Sequence, residues 1–467
     1  MITPDLSTPI PARIESVHFI GIGGSGMSGI AVMMIDAGIR VSGSDRSDSA
    51  TTQMLREHGA QVAIGHDAVN LGQVDAVVVT SALWPENPEL LEAQKRGITV
   101  LHRSQALAYL AQDRRVLAVA GAHGKTTSTG MLVVALRALG ADPSFVNGGV
   151  VHGIGASSGH GSGELFVLEA DESDGSFALY DTKIALILNI DTDHLDHYGS
   201  HENFDRAFID FANSADDLVV ISADDEGAKR VHAQLEHPNV LTFGESSDAD
   251  VRISNITVGT SVSFDLDYQG GRYSSSVQTV GRHNALNAAA VFTVLVGAGF
   301  EPGEVAASLT GFSGTGRRFE PHGARRGVRV YDDYAHHPAE VVAALTAART
   351  VLGEGRLIAV HQPHLYSRTR DMAAEFAAAY ESLADHTVIL DVYGAREDPI
   401  PGVTGELVYK EFSDRSKADF LADWQEAADR VGEIAKDGDL VMTLSCGDVY
   451  RIIPQLLTSL EGTTDAS

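Results

Sequence analysis

Three stretches of this sequence hold residue types that do chemistry only in company. In Gly121-Ala122-His123-Gly124-Lys125-Thr126-Thr127, two glycines, a lysine and two hydroxyls follow the apolar run RVLAVA and precede a helical pattern. Backbone amides at such a turn can wrap a phosphate chain, the lysine neutralises it, and a hydroxyl can ligate Mg2+. The spacing departs from the general G-x-x-x-x-G-K-[ST] loop, because Val119 stands where its first glycine would fall. Downstream, LEADESD and NIDTDHLDH set acids at the ends of two apolar strands, the edge at which open α/β sheets bind ligands. A small hard cation beside phosphates needs oxygen donors, so Thr126 and Glu169 are candidates to hold Mg2+. His194 is a third, although imidazole is an unusual partner for that ion. Either acidic loop alone could be a solvated turn; two of them after a phosphate loop point to a nucleoside triphosphate and its metal.

An earlier loop is more ambiguous. Gly21, Gly23 and Gly26 stand in G-x-G-x-x-G spacing between a strand and a helix, where amides and the helix dipole can hold a diphosphate. Asp45 closes the next strand, at the place of a ribose-binding carboxylate. Taken alone, this loop fits an NAD-dependent oxidoreductase, another diphosphate ligand such as a UDP-sugar, or a plain tight turn.

These loops need rigid elements behind them. SVHFIGIGG, IRVSGSD, QVAIG and DAVVVTSA alternate with helical patterns, the mark of a parallel sheet with crossover helices. The pattern restarts after the polar AQDRR near 110–116 and runs through LFVLEADESD, IALILNIDTDHLDH and DLVVIS. From 250 to 280 polar and apolar residues alternate around a Gly-Gly pair, which predicts antiparallel hairpins. Beyond the glycine-rich FSGTGRRFEPHG, the runs VRVYDDY, RLIAVHQP, HTVILDVY and DLVMTLS alternate with alanine-rich helices. The expected organisation is α/β in three domains, 1–113, 114–320 and 321–467, with hinges near 110–116 and 318–324 that let the domains close.

Composition narrows the partners. The 467 residues carry 34 basic and 63 acidic side chains, a net charge of -29, which disfavours nucleic acid while permitting a local cationic pocket. No apolar run is long enough to span a bilayer and MITPDLSTPIPARIES lacks a secretory layout, so a cytoplasmic protein with no membrane partner is expected. One cysteine, Cys446, excludes an internal disulfide and a cysteine-clustered zinc site, and reads as a small buried residue.

The segments GIGGSGMSG, SDRSDS, GAHGKTT, EADESD, NIDTDHLDHYG, GRHNALNAAA, GTGRRFE, DDYAHHPAE and HQPHLYSRTRD occur in the order of the Mur ligase family, which the chain resembles over nearly its full length. The match is best within the alanine-adding branch. Other branches carry a metal-bridging carbamylated lysine in the helix after the D-H pair, and ENFDRAFIDF has none. The resemblance implies a Rossmann-like UDP-sugar domain, a central ATPase and a C-terminal Rossmann-like amino-acid domain. Their joint product would be an amide between L-alanine and the lactyl carboxylate of UDP-N-acetylmuramate, with ATP and Mg2+ consumed or required, by a monomer or homodimer.

Carried over by position, the resemblance implies that Gly121, His123, Gly124, Lys125, Thr126, Thr127, His283, Asn284, Arg317 and Asp333 meet ATP. Thr126, Glu169 and His194 would hold metal; Gly21, Gly23, Gly24, Ser25, Gly26, Asp45 and Ser81 would contact the uridine diphosphate. Tyr334, His336, Arg368 and Arg370 would receive alanine and the muramyl carboxylate, with Lys125, His336, Arg368 and Arg370 taking catalytic parts. His336 has the ordinary imidazole range a general base needs, although a histidine before Pro338 also suits a helix entry. Ser445-Cys446-Gly447 departs from the family's glycine-rich turn. Two rival readings are a murein peptide ligase, which would attach a preformed peptide, and the NAD-dependent oxidoreductase, which leaves the lysine loop without work.

Overall fold

Apolar runs of four to eight residues, closed by glycines or acids, form the strands that position the loops. A computed structural model of the protein describes residues 6–172, 175–191, 198–395 and 397–462. The first sheet holds β1 (Ser16–Ile20), β2 (Arg40–Asp45), β3 (Gln61–Ile64), β4 (Ala76–Val79) and β5 (Thr99–His102), in the order β3-β2-β1-β4-β5. All its pairings are parallel. The order reverses at β1, so the first glycine loop leaves the sheet at the switch point where such sheets bind ligands.

The second sheet is built on β6 (Arg115–Ala120), β7 (Ser144–Val151), β8 (Ala156–Gly159), β9 (Leu165–Glu169), β10 (Thr182–Ile187), β11 (Leu218–Ser222) and β12 (Val240–Gly244). Its order from one edge is β8-β7-β9-β6-β10-β11-β12. Only β7 and β8 run antiparallel within that run. The phosphate loop follows central β6, and the two acidic loops follow its neighbours β9 and β10.

The segment expected to form hairpins does so in part. β13 (Val251–Val258) enters parallel to β12, with Phe243 opposite Val251. The tight hairpin joins β14 (Val262–Tyr268) to β15 (Gly271–Val277). Its turn is Gln269-Gly270, both with positive φ, so it takes in only the first glycine of the Gly270-Gly271 pair. The third sheet, β16 (Glu320–Arg325), β17 (Val328–Asp333), β18 (Leu357–His361), β19 (His386–Ile389), β20 (Ala418–Phe420) and β21 (Leu440–Leu444), has the order β16-β17-β21-β18-β19-β20. It is parallel except at β16–β17.

Contacts divide the chain into two compact units: the described residues of Met1–Ser254, Asp265–Ser275 and Leu286–Phe312, and those of Asn255–Phe264, Ser276–Ala285 and Ser313–Ser467. Within the first unit one apolar core runs from the first sheet to the second, including Met33, Ala106, Leu107, Val116, Phe177 and Phe208. The stretch 110–116 therefore lies beside a shared core. In the second unit, separate apolar clusters cover the two faces of the third sheet.

One buried acid ties the first sheet's ligand edge together. Glu89, in the first turn of helix Pro88–Arg96, is fully buried. Its oxygens accept from Ser44 Oγ (2.5 Å), Asn70 Nδ2 (2.7 Å) and Asp67 N (3.3 Å), with His18 Nε2 3.5 Å away. Burial pushes the carboxyl pKa up, but the nearby His18 and hydrogen bonds from Ser44 and Asn70 outweigh it and bring the value down to about 2. Because the folded value is depressed, this stabilisation is complete above the ordinary glutamate range and fades as pH falls toward 2. Glu89→Ala should cost about 2–4 kcal/mol in denaturant unfolding at neutral pH. The gap from wild type should narrow in acid.

Candidate active site

The phosphate loop is shaped by two glycines and one asparagine. Gly121 and Gly124 have φ of +134° and +86°, where a side chain would strain the backbone. A Cβ on Gly124 would also stand 2.7 Å from Asn287 Oδ1. Asn189, two residues beyond β10, accepts from His123 N at 2.8 Å and donates to His123 O at 2.9 Å. The loop is thereby pinned to the strand that carries the second acidic segment. His123 Nε2 faces Asp191 Oδ2 at 3.4 Å.

Lys125 opens helix Lys125–Ala138, and its ammonium turns back into the loop. Nζ donates to Gly121 O (2.5 Å) and Glu172 Oε1 (2.8 Å). Burial works against its charge, but Glu172, Asp171 and Glu169 outweigh burial and raise the lysine pKa above its ordinary value. Thr126 Oγ1 donates to Glu169 Oε2 at 3.2 Å, while Glu169 Oε1 accepts from Gly148 N at 2.5 Å. Thr127 is buried in the same turn. A hydroxyl and a carboxylate converging beside the phosphate loop are the hard oxygen donors Mg2+ prefers. His194 lies outside the described residues.

In the first loop, Gly21 has φ +81° and its amide donates to Ser44 O, as does that of Ile22. Asp45 Oδ2 accepts from Gly23 N at 2.9 Å, and a Cβ on Gly23 would lie at that same distance from it. Asp45 thus shapes the loop directly. Gly24 caps helix Ser25–Asp36 without a side-chain bond, so Gly26 falls in its first turn. Ser81 Oγ meets His102 Nε2 at 3.3 Å.

The second unit gathers another cluster. Asp333 accepts from Phe319 N and Ala335 N, each at 2.8 Å. Burial, opposed by Arg318 and these amides, pushes its carboxyl up to about 6. His336 Nδ1 lies 3.0 Å from Tyr334 O and 3.1 Å from Glu340 Oε2. Two acceptors at Nδ1 fix the proton there and leave the lone pair on Nε2. Burial lowers the imidazole pKa; Glu340 opposes it and Arg368 assists it. His337 caps helix Pro338–Leu352 in a capping box with Glu340, the plain helix-entry role. His364 extends the ring cluster, 6.1 Å from His336 and stacked on Tyr393.

Two of the expected arginines are engaged within the protein. Arg317, at φ +60°, donates to Asp332 (2.9 Å), Gly447 O (2.8 Å) and Ser445 O (2.6 Å) and lies over Tyr334 and Tyr450. The Ser445–Gly447 turn thus serves by presenting two carbonyls. Arg318, stacked 4.7 Å over Tyr334, lends its charge to His283 and Asp333 and, after Arg368, to His336. Burial and Arg318 bring His283 down to about 4. Asn284 donates to Val280 O at 2.7 Å. Arg370, 53% exposed, forks onto Asp371 and is not brought into the cluster. The Cys446 thiol is half-buried and pushed up to about 12 by burial.

Three family profiles cover the chain in sequence: the Mur ligase family catalytic domain matches residues 16–115, the Mur ligase middle domain 119–295, and the Mur ligase glutamate ligase domain 317–447. The chain belongs to the Mur ligase family. A UDP-N-acetylmuramate--L-alanine ligase of Clavibacter michiganensis is 63% identical over 99% of this chain and 97% of that protein. One of Paenarthrobacter aurescens is 48% identical over 97% and 99%. The crystal structure of UDP-N-acetylmuramate-alanine ligase MurC from Thermotoga maritima superposes with TM-score 0.81 at 27% identity, covering 96% of this chain and 99% of that one. A murein peptide ligase from Psychrobacter arcticus shares the fold, with TM-score 0.73 at 24% identity and 97% and 100% coverage.

Within this Mur ligase chain the sequence reading missed Asn189, Asn287, Glu172, Arg318 and His364. Asn287 had a signal, standing one helical turn after Asn284 in GRHNALN. Lys125→Ala should destabilise the fold, since it takes an ammonium from a buried acidic cluster. Loss of about 2 kcal/mol or more in denaturant unfolding is expected, partly recovered by Lys125→Ala/Glu172→Gln.

Proposed function

We propose that this chain is an ATP-dependent ligase that joins L-alanine to the lactyl carboxylate of UDP-N-acetylmuramate, giving UDP-N-acetylmuramoyl-L-alanine, ADP and phosphate for peptidoglycan synthesis. The observation that carries this reading is 63% identity, over essentially the whole chain, to a ligase of that name. The residues supply a matching chemistry. A carboxylate and an amine do not condense in water until one carboxyl oxygen becomes a good leaving group. Attack of the muramyl carboxylate on the γ-phosphoryl of ATP makes an acyl phosphate, and alanine then displaces phosphate from the acyl carbon.

Lys125 and the amides from Gly121 to Thr127 hold the phosphate chain, and Lys125 offsets the charge that shifts during transfer. Thr126 and Glu169, with His194, would hold Mg2+, which supplies further positive charge at the phosphates. Gly21, Gly23, Gly24, Ser25 and Gly26 seat the uridine diphosphate, with Asp45 and Ser81 shaping that edge. His283, Asn284, Arg317 and Asp333 are assigned to the nucleotide by the family resemblance, and Arg318 lends its charge to His283 and Asp333.

Alanine arrives as an ammonium at neutral pH, so a base must take a proton. His336 offers Nε2 for this, Tyr334 and Glu340 orient it, and Arg368 is the cation for the alanine carboxylate. The NAD-dependent reading gives no work to Lys125, Glu169 or the third sheet. The two nucleotide substrates fit a cytoplasmic reaction.

Incubation with ATP, Mg2+ and UDP-N-acetylmuramate should give, by mass spectrometry, a product larger by one alanine residue and only when alanine is present. Product formed only with a preformed peptide would instead favour the murein peptide reading. Because the folded His336 pKa is lowered, the imidazole is neutral across pH 7, and the acid limb of kcat/KM for alanine should lie below the usual imidazole range. His336→Gln should erase that limb and reduce kcat by about 100-fold or more; an unchanged profile would remove His336 as the base.

A further inference from the structure

We propose that Arg103 is a positioning residue that couples UDP-sugar binding at the first glycine loop to Mg-ATP binding at the second, through Asp171. The inference deepens the function proposed above and rests on its assignment of the first loop to the UDP-sugar.

Arg103 begins helix Arg103–Ala111, directly after β5. Its guanidinium lies between the first turn of the helix after the first glycine loop and the acidic loop after β9. On one side, a Cβ added to Gly26 would lie 3.4 Å from Nη1, so the group lies against the first turn of the helix that the glycine loop opens. On the other, Nη2 donates to Asp171 Oδ2 at 2.9 Å. Both side chains are about one-third exposed, at 30% and 34%, so the pair is covered yet reachable by a ligand. Asp171 stands beside Glu172, the partner of Lys125, and its charge acts on that ammonium together with Glu169.

A guanidinium pairs edge-on with carboxylates and with phosphates, and the more highly charged anion competes better for it. A diphosphate seated at Gly24–Gly26 therefore draws on the charge Arg103 gives Asp171. With less of that charge, Asp171 makes the potential around Glu169 and Thr126 more negative, which favours a divalent cation and the triphosphate it accompanies. Arg103 thus makes the ATP loop a better metal site when the UDP-sugar is present. By linkage the effect is reciprocal: Mg-ATP tightens UDP-sugar binding by the same factor. The device would discourage ATP activation in the absence of the acid that must receive the phosphoryl group.

Titration of Mg2+ with a non-hydrolysable ATP analogue, with and without saturating UDP-N-acetylmuramate, reads the coupling directly. Wild type should bind the analogue about five-fold or more tighter when the UDP-sugar is present. Arg103→Gln and Asp171→Asn should each lose most of that gain, and the double variant should lose no more than either single one. Arg103→Lys, which keeps the charge without the fork, should retain an intermediate gain. A full gain in Arg103→Gln would overturn the proposal; if that variant fails to fold, a full gain in Asp171→Asn overturns it equally. Wild-type binding of both ligands with no gain would sink the coupling alone. Absence of UDP-N-acetylmuramate binding to wild type would sink the substrate reading, and the coupling with it.

Discussion

The lysine ammonium of the second glycine loop, held against Glu172 with Asp171 and Glu169 close by, is the interaction on which the first unit's chemistry turns. Three acids around one cation would be unstable without the surrounding donors. Gly148 N and Thr126 Oγ1 satisfy Glu169, and Arg103 meets Asp171. The loop amides need a fixed path, which Asn189 provides by bonding both faces of His123. The arrangement brings one cation and three acids together, with their charges balanced internally. That is preorganisation in the electrostatic sense: the groups are placed by folding rather than by the substrate.

The strands, the two glycine loops and the acids after β9 and β10 were legible because local pattern determines them: apolar runs end where glycine or aspartate begins. Side-chain direction was not. Arg317 and Arg318 are adjacent in GTGRRFE, and the left-handed backbone at Arg317 and Phe319 decides which guanidinium is locked inside and which addresses His283 and Asp333. Arg370 looked equivalent to Arg368 in YSRTRD, yet two residues along a helix point away from each other, and Arg370 found Asp371 instead. The parallel entry of β13 was hidden for a different reason. Alternation reports that one face is covered, not which neighbour or direction does the pairing. Asn189 and Glu172 were invisible as individuals because their roles depend on contacts 47 to 66 residues away in sequence.

The first sheet shows how one residue can support a reading while doing another job. Asp45 was expected at a ribose; it bonds the Gly23 amide and occupies the space a side chain there would need. The strand end that carries it is anchored in turn by Ser44 on buried Glu89. The shape of this edge therefore depends on a carboxylate buried beneath it.

The lone thiol of Cys446 has a practical corollary. Half-buried and kept protonated far above neutral pH, it presents almost no thiolate to a maleimide or iodoacetamide dye. A cysteine introduced at an exposed position on each unit could therefore be labelled over a quiet background, without first deleting the natural one. The chain is ready-made for single-molecule distance measurements during turnover.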